Sequence, residues 1–225
     1  MVKVFSRIAV ILCLTGYFLL SGCSDPKWKE AGTRVASMVG STEFEVNRTS
    51  ESTGSVYELS ISEASWNKGY TDADVLSACA LAFYNQIAPS EPVGFVRVVV
   101  AGKTKSVQQT YSFEELQQAD RCIDRVNSFF KWKPEQGFDS VRMHIDPLFF
   151  PDSLLVKIGE SVRQQDSLDN QFMHAEFIGF ESDTVANLPV LTVKVKAIRK
   201  QSKQRYDAFV GMKNEKVLLV VPAEN

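Results

Sequence analysis

Hydrophobic residues in this chain follow two different periods, and the points where the period changes restrict it to a mixed helix-and-sheet architecture. From Thr42 the pattern alternates. Phe44 and Val46 are separated by polar residues, a Ser/Thr/Gly cluster spans Thr49 to Ser55, and Tyr57, Leu59 and Ile61 alternate again. Period two puts such side chains on one face of a strand, so the spacing predicts a hairpin. At Thr71-Asp72-Ala73-Asp74 the pattern becomes helical. Thr71 can cap, and acidic residues in the first turn suit the positive end of the helix dipole. The body of this helix, Val75 to Ala88, is apolar nearly all round, which predicts burial on every side. Pro89 and Pro92 end it. Gly94 to Ala101 reads as a central strand, with a partner near Ser106 to Tyr111 across a turn at Gly102-Lys103. The predicted order is strand, strand, helix, strand, strand.

Ser112-Phe113-Glu114-Glu115 is a capping box, in which the serine and the glutamate three places on satisfy each other's free backbone N–H groups. Leu116, Ala119, Ile123, Val126 and Phe130 then form a stripe at helical spacing, to about Lys131. Pro134 and Gly137 close that helix. A short helix is expected near Phe138 to His144, and a third from Pro151 to about Asp166 with Leu154, Leu155, Ile158 and Val162 buried. Strands are expected at Phe172–Glu181, Val190–Arg199, Gln204–Lys213 and Val217–Val221. The fold class is therefore α+β: a small strand-strand-helix-strand-strand unit (41–112), then three helices and a four-stranded antiparallel meander (113–225).

The N-terminus has a different character. Lys3 and Arg7 precede an apolar run from Ile8 to Leu20, and Ser21-Gly22 leads into Cys23. The run is shorter than the ~20 apolar residues a spanning helix needs, and its length suits the core of an export signal. No Ala-x-Ala-like site precedes the cysteine. The segment resembles the bacterial lipoprotein signals, whose lipobox ends in Gly-Cys. That resemblance implies a signal peptide over 1–22 and a Cys23 that becomes the lipidated first residue of the mature protein. Several acyl chains, each contributing ~0.8 kcal/mol per buried methylene, would hold it on a bilayer. Asp25 stands one place too late to match the enterobacterial inner-membrane retention pattern, so the resemblance favours the outer membrane, on its periplasmic side, with surface exposure left open. Residues 24 to about 40 are polar without sustained periodicity and read as a tether, with Trp28 able to touch headgroups or dock on the body.

Loss of residues 1–22 removes Lys3 and Arg7, so the 25 basic side chains become 23 against 27 acidic ones, a net −4. A mildly acidic chain without a basic stripe gives no sign of nucleic-acid binding. With Cys13 in the signal and Cys23 lipidated, Cys79 and Cys122 remain of the four cysteines. Both fall in predicted helices. In an oxidising compartment they are candidates for a disulfide; the other reading is two small buried hydrophobes. No Cys-x-x-Cys motif suggests redox work.

Residues from about 115 to 222 resemble the nuclear transport factor 2-like superfamily. The matching stretches are Phe129-Phe130-Lys131-Trp132, Phe138-Asp139 to Asp146-Pro147, and the long Val190–Val221 ladder. The resemblance implies three helices packed across a strongly curved sheet, forming a cone. It covers about half of the mature chain.

The superfamily includes isomerases and dehydratases, but fold does not carry function. His174 and Glu176, two apart on a strand with Phe172, Ile178 and Phe180, are the one candidate acid–base pair. They act only if that face looks into the cone. His144 beside Asp146 is a weaker candidate, because Asp146-Pro147 reads as a turn. Two histidines without paired cysteines form no metal signature, and no Gly-rich phosphate loop appears, so neither metal nor cofactor is expected. Phe129, Phe130, Trp132, Phe149 and Phe150 are an unusual aromatic density. They either pack the helix–sheet seam or line a ligand pocket together with Phe172 and Phe180. Lys194, Lys196, Arg199, Lys200, Lys203 and Arg205 concentrate positive charge and read as a solvated hairpin tip, able to meet headgroups or an acidic partner.

The expectation is a membrane-anchored, non-enzymatic binding or scaffold module for an envelope protein or a small ligand. The alternatives are an enzyme acting on a small apolar molecule through His174 and Glu176, and a structural protein self-associating through its front unit.

Overall fold

In the computed structural model, residues 25–52, 54–66, 69–87, 89, 94–167, 171–185 and 187–223 are described. The expected signal peptide and Cys23 lie outside them. Among the described residues no helix is long and apolar enough to cross a membrane.

The segment expected as a tether is a helix, α1 (Pro26–Met38). Asp25 caps it, accepting from the Lys27 N–H at 2.9 Å, and Pro26 occupies the first turn. Its buried face is narrow: Ala31, Gly32, Val35 and Ala36. Small residues at that spacing are a weak helical signal, and this explains the misreading. They let the helix lie close, since a Cβ on Gly32 would stand 2.4 Å from the Phe44 ring. Gly40, at φ 66°, closes α1; the Gly40 N–H donates to the Ser37 carbonyl and the Ser41 N–H to the Ala36 carbonyl.

The first sheet contains β1 (Glu43–Glu51), β2 (Gly54–Ala64), β3 (Gly94–Gly102) and β4 (Ser106–Ser112), in the order β1-β2-β3-β4. The two outer pairs are antiparallel. The central pair, β2 and β3, is parallel, because α2 (Asp72–Ile87) crosses between them. Thr71 and Asp74 cap α2 reciprocally: the Asp74 N–H donates to Thr71 Oγ1 (3.1 Å) and the Thr71 N–H to Asp74 Oδ2 (2.9 Å). The helix is buried nearly all round, as its composition predicts, against α1, β3 and a strand of the second sheet.

Ser112 ends β4 and also caps α3 (Phe113–Lys131), with both hydrogen bonds of the capping box formed. The front and back halves thus join without a linker. Residues of both, among them Val98, Cys79, Leu116, Val193 and Val210, belong to one continuous hydrophobic core. After the one-turn helix α4 (Asp139–Arg142) comes α5 (Asp152–Ser167), which buries Leu155 and half-buries Ile158, whereas Leu154, expected inside, is exposed. The second sheet is the expected meander: β5 (Phe172–Val185), β6 (Leu188–Arg199), β7 (Lys203–Gly211) and β8 (Val217–Pro222), antiparallel in that order. The α+β class and the order of elements agree with the sequence.

β5 holds the main departure. Two of its residues oppose one of β6 at Phe172/His174 and again at Phe177/Gly179. Each bulge adds an unpaired residue, bends the strand and inverts the inside–outside alternation beyond it.

Candidate functional site

The back half contains an aromatic cavity of about 240 Å³. The end of α3 supplies Phe129, Phe130 and Trp132, α5 supplies Ile158 and Val162, and the second sheet supplies Phe172, Tyr206 and Val220. The walls are rings packed on rings. Phe130 stacks on Phe172 with centroids 6.3 Å apart and meets Tyr206 at 5.3 Å, while Phe129 packs on Phe150 at 5.6 Å. Trp132 turns its indole N–H to the Gly137 carbonyl (2.9 Å), which satisfies the one polar atom of a buried ring. Gly137 adopts φ 73° there, which favours glycine.

Four of the six residues proposed for a pocket therefore line it: Phe129, Phe130, Trp132 and Phe172. Phe149 and Phe180 do not. Phe149 is 45% exposed and its neighbour Phe150 turns inward in its place. Phe180 is buried against Tyr111 and Phe177. Sequence reading missed Ile158, Val162, Tyr206 and Val220 as lining; they come from three separate elements and carry no mutual signal.

The lining also includes Lys131, Lys133 and Ser161, all exposed, and the half-buried Arg199. Among the described lining residues there is no carboxylate.

The acid–base candidate is overturned by the first bulge. Beyond it Ala175 and Phe177 pack toward the core, so His174 and Glu176 point the other way, with side chains 53% and 51% exposed. His174 Nε2 lies 3.5 Å from Glu176 Oε1, open to water on the outside of β5. His144 packs beside Arg125, with Nδ1 3.4 Å from the guanidinium. Burial and that charge hold its pKa below the ordinary value. Asp146 shapes a turn, accepting from the Leu148 N–H and from Asn214. Among the described residues no group of three or more His, Cys, Asp and Glu side chains converges on one point.

Cys79 and Cys122 are free and buried, the second of the two readings of the sequence. Each lies on the core face of its helix, in apolar surroundings. Burial pushes both thiols up to about 12. They behave as small hydrophobes, without the thiolate that exchange chemistry requires.

The basic run does not act as one patch. Lys194 is half-buried and pairs with Asp74 on α2 (2.9 Å) and with Glu181 (3.3 Å). Arg205 donates to the Gly69 carbonyl and lies over the Tyr70 ring. Arg199 stands at the cavity. β-register splits the run among three environments, which a linear count of charges cannot show.

No family model matches this chain, and no curated protein or solved structure matches it either.

Proposed function

We propose that this chain is a lipid-anchored binding protein that holds a small apolar ligand in its aromatic cavity, on the periplasmic side of a bacterial outer membrane. The cavity carries the reading: a concave, mostly apolar pocket with a few polar groups at one side is the usual form of a small-molecule site. The Lys3–Cys23 segment supports the anchor. An enzymatic role finds no support in His174 and Glu176, which face water and share no enclosed space with the cavity. Self-association through the front unit is opposed at the β1 edge of its sheet, where Glu43, Glu45, Asn47, Arg48 and Glu51 are exposed, since charged edges resist strand addition.

Native mass spectrometry of the protein extracted from membranes tests the proposal. A small molecule should co-purify and be lost from a Phe130→Ala/Phe172→Ala variant that remains folded. A ligand-free protein that binds nothing from a panel of small apolar compounds overturns it.

Docking of an envelope protein is a second reading, favoured by one observation. Met143, Leu148 and Phe149 are 67%, 87% and 45% exposed within seven residues. Crosslinking of the native protein before and after Leu148→Asp/Phe149→Asp tests it, and an unchanged crosslinking pattern rules that face out.

A further inference from the structure

Taking the cavity as a ligand site, as proposed above, we infer that its ligand is a small apolar carboxylate, with the ring or short chain inside and the carboxylate beside Lys131 and Lys133. Two observations carry this.

The first is size. About 240 Å³ exceeds the roughly 150 Å³ apolar cavity that takes benzene. It falls below the roughly 300–1,000 Å³ of drug-sized sites. The space holds on the order of ten non-hydrogen atoms, at about 30 Å³ per water-sized unit. That fits one ring with a two- or three-carbon arm, and excludes a full lipid acyl chain.

The second is charge. The lining includes the two lysines Lys131 and Lys133 and, among the described residues, no anion. The nearby Glu135 is engaged with Arg163 at 3.7 Å. Lys131 and Lys133 both line the cavity and are exposed, and no ion pair to either occurs among the described residues. Ser161 adds a hydroxyl to the lining and Tyr206 a second, which donates to Gln204 Oε1 at 3.2 Å. Cations beside an aromatic pocket favour an anion whose apolar body is desolvated while its head stays near water. A neutral compound of equal shape gains only the first part.

Trp132 lies in the lining and reports occupancy by its fluorescence. In a Trp28→Phe/Trp66→Phe background it is the one remaining tryptophan of the three. We would titrate the intact protein in phosphatidylcholine vesicles with 3-phenylpropionate and with its neutral isostere 3-phenylpropanamide. The acid should bind at least about tenfold tighter, and this preference should shrink as salt screens the lysines. Lys131→Gln/Lys133→Gln, two surface changes, should weaken the acid roughly three- to tenfold and leave the amide unchanged. Ser161→Phe, which crowds the lining without adding a tryptophan, should weaken both. Equal affinity for acid and amide overturns the carboxylate assignment and leaves the pocket intact. Binding of neither compound overturns the pocket itself. Binding that Ser161→Phe does not weaken places the probe elsewhere and overturns both.

Discussion

Gly179 on β5 and Asp74 on α2 meet backbone to backbone: a Cβ added to Gly179 would lie 2.7 Å from Asp74 Cα and 2.8 Å from its carbonyl oxygen. The buried helix and the second sheet touch here without side chains between them. One turn on, Ser77 Oγ accepts the Phe180 N–H at 2.9 Å and donates to the Asp74 carbonyl at 3.2 Å. The register shift between Phe177 and Gly179 lies just before that N–H, so a serine of the helix is bonded where the ladder slips.

Gly179→Ala should therefore destabilise the protein by about 1–3 kcal/mol, the range for overpacking. The obstacle is backbone and cannot rotate away. Urea unfolding followed by circular dichroism checks this. A midpoint within error of the parent would mean that α2 and β5 are not so closely seated.

Lys194 and Asp74 form a buried pair, with side chains 17% and 6% exposed. Burial pushes the Asp74 carboxyl up, but hydrogen bonds from Lys194 and Thr71 outweigh it and leave the carboxyl below its ordinary value. Burial likewise pulls Lys194 down, and Asp74 and then Glu181 more than restore it, so its pKa is raised. A depressed acid contributes stability above its unfolded pKa of about 4, lost as pH falls through the folded value. A raised lysine contributes below about 10.4, lost as pH rises through its folded value. Asp207, raised chiefly by burial, has the opposite sign and offsets part of the acid-side loss. Lys194→Met should cost about 3 kcal/mol at neutral pH, because it strands a buried carboxylate. It should also flatten the fall in stability below about pH 4. Urea midpoints across pH for parent and variant decide the matter, and parallel curves would contradict the coupling.

Cys79 and Cys122 should resist iodoacetamide in the native protein at pH 8 and react on unfolding in urea, since burial pushes both thiols up to about 12. Peptide mass mapping after labelling reads each site separately. An unlabelled, unfolded protein two hydrogens lighter than expected would show that the pair is bonded instead.

Phe150 and Phe149 are adjacent yet should differ. Phe150 is 5% exposed and packs on Phe129, so Phe150→Ala should cost about 3 kcal/mol. Phe149 is 45% exposed, and its alanine variant should stay within about 0.5 kcal/mol of the parent. Thermal unfolding of the two variants side by side provides the comparison.

Cys23→Ala should abolish metabolic labelling with a radioactive fatty acid and release the protein from membranes. Persistence of both would remove the lipobox assignment.

Where structure depends on near neighbours in the chain, it was legible. The Ser112–Glu115 box, the Leu116–Val126 stripe, the all-round apolar α2 and the β5–β8 meander follow from capping and period, which act within a few residues. Helix α1 escaped because its buried face is alanine, glycine and valine, too small to raise a periodic signal. Four of the six pocket candidates reached the cavity because they cluster at one helix end and one strand start. The other lining residues were illegible, since separate elements bring them together.

By itself the sequence determined the α+β class, the order of elements and the aromatic density near the end of α3, because each depends on local periodicity and composition. Tertiary structure alone decided which way those side chains face. The first bulge in β5 puts His174 and Glu176 on the water side while Phe172, just before it, faces the cavity. Pairing of β6 with β7, and packing of β5 on α2, draws Lys194 out of a basic run and onto Asp74, 120 residues away in the chain. Register and burial arise from contacts between distant segments, and a period counted along one strand has no knowledge of where its ladder slips.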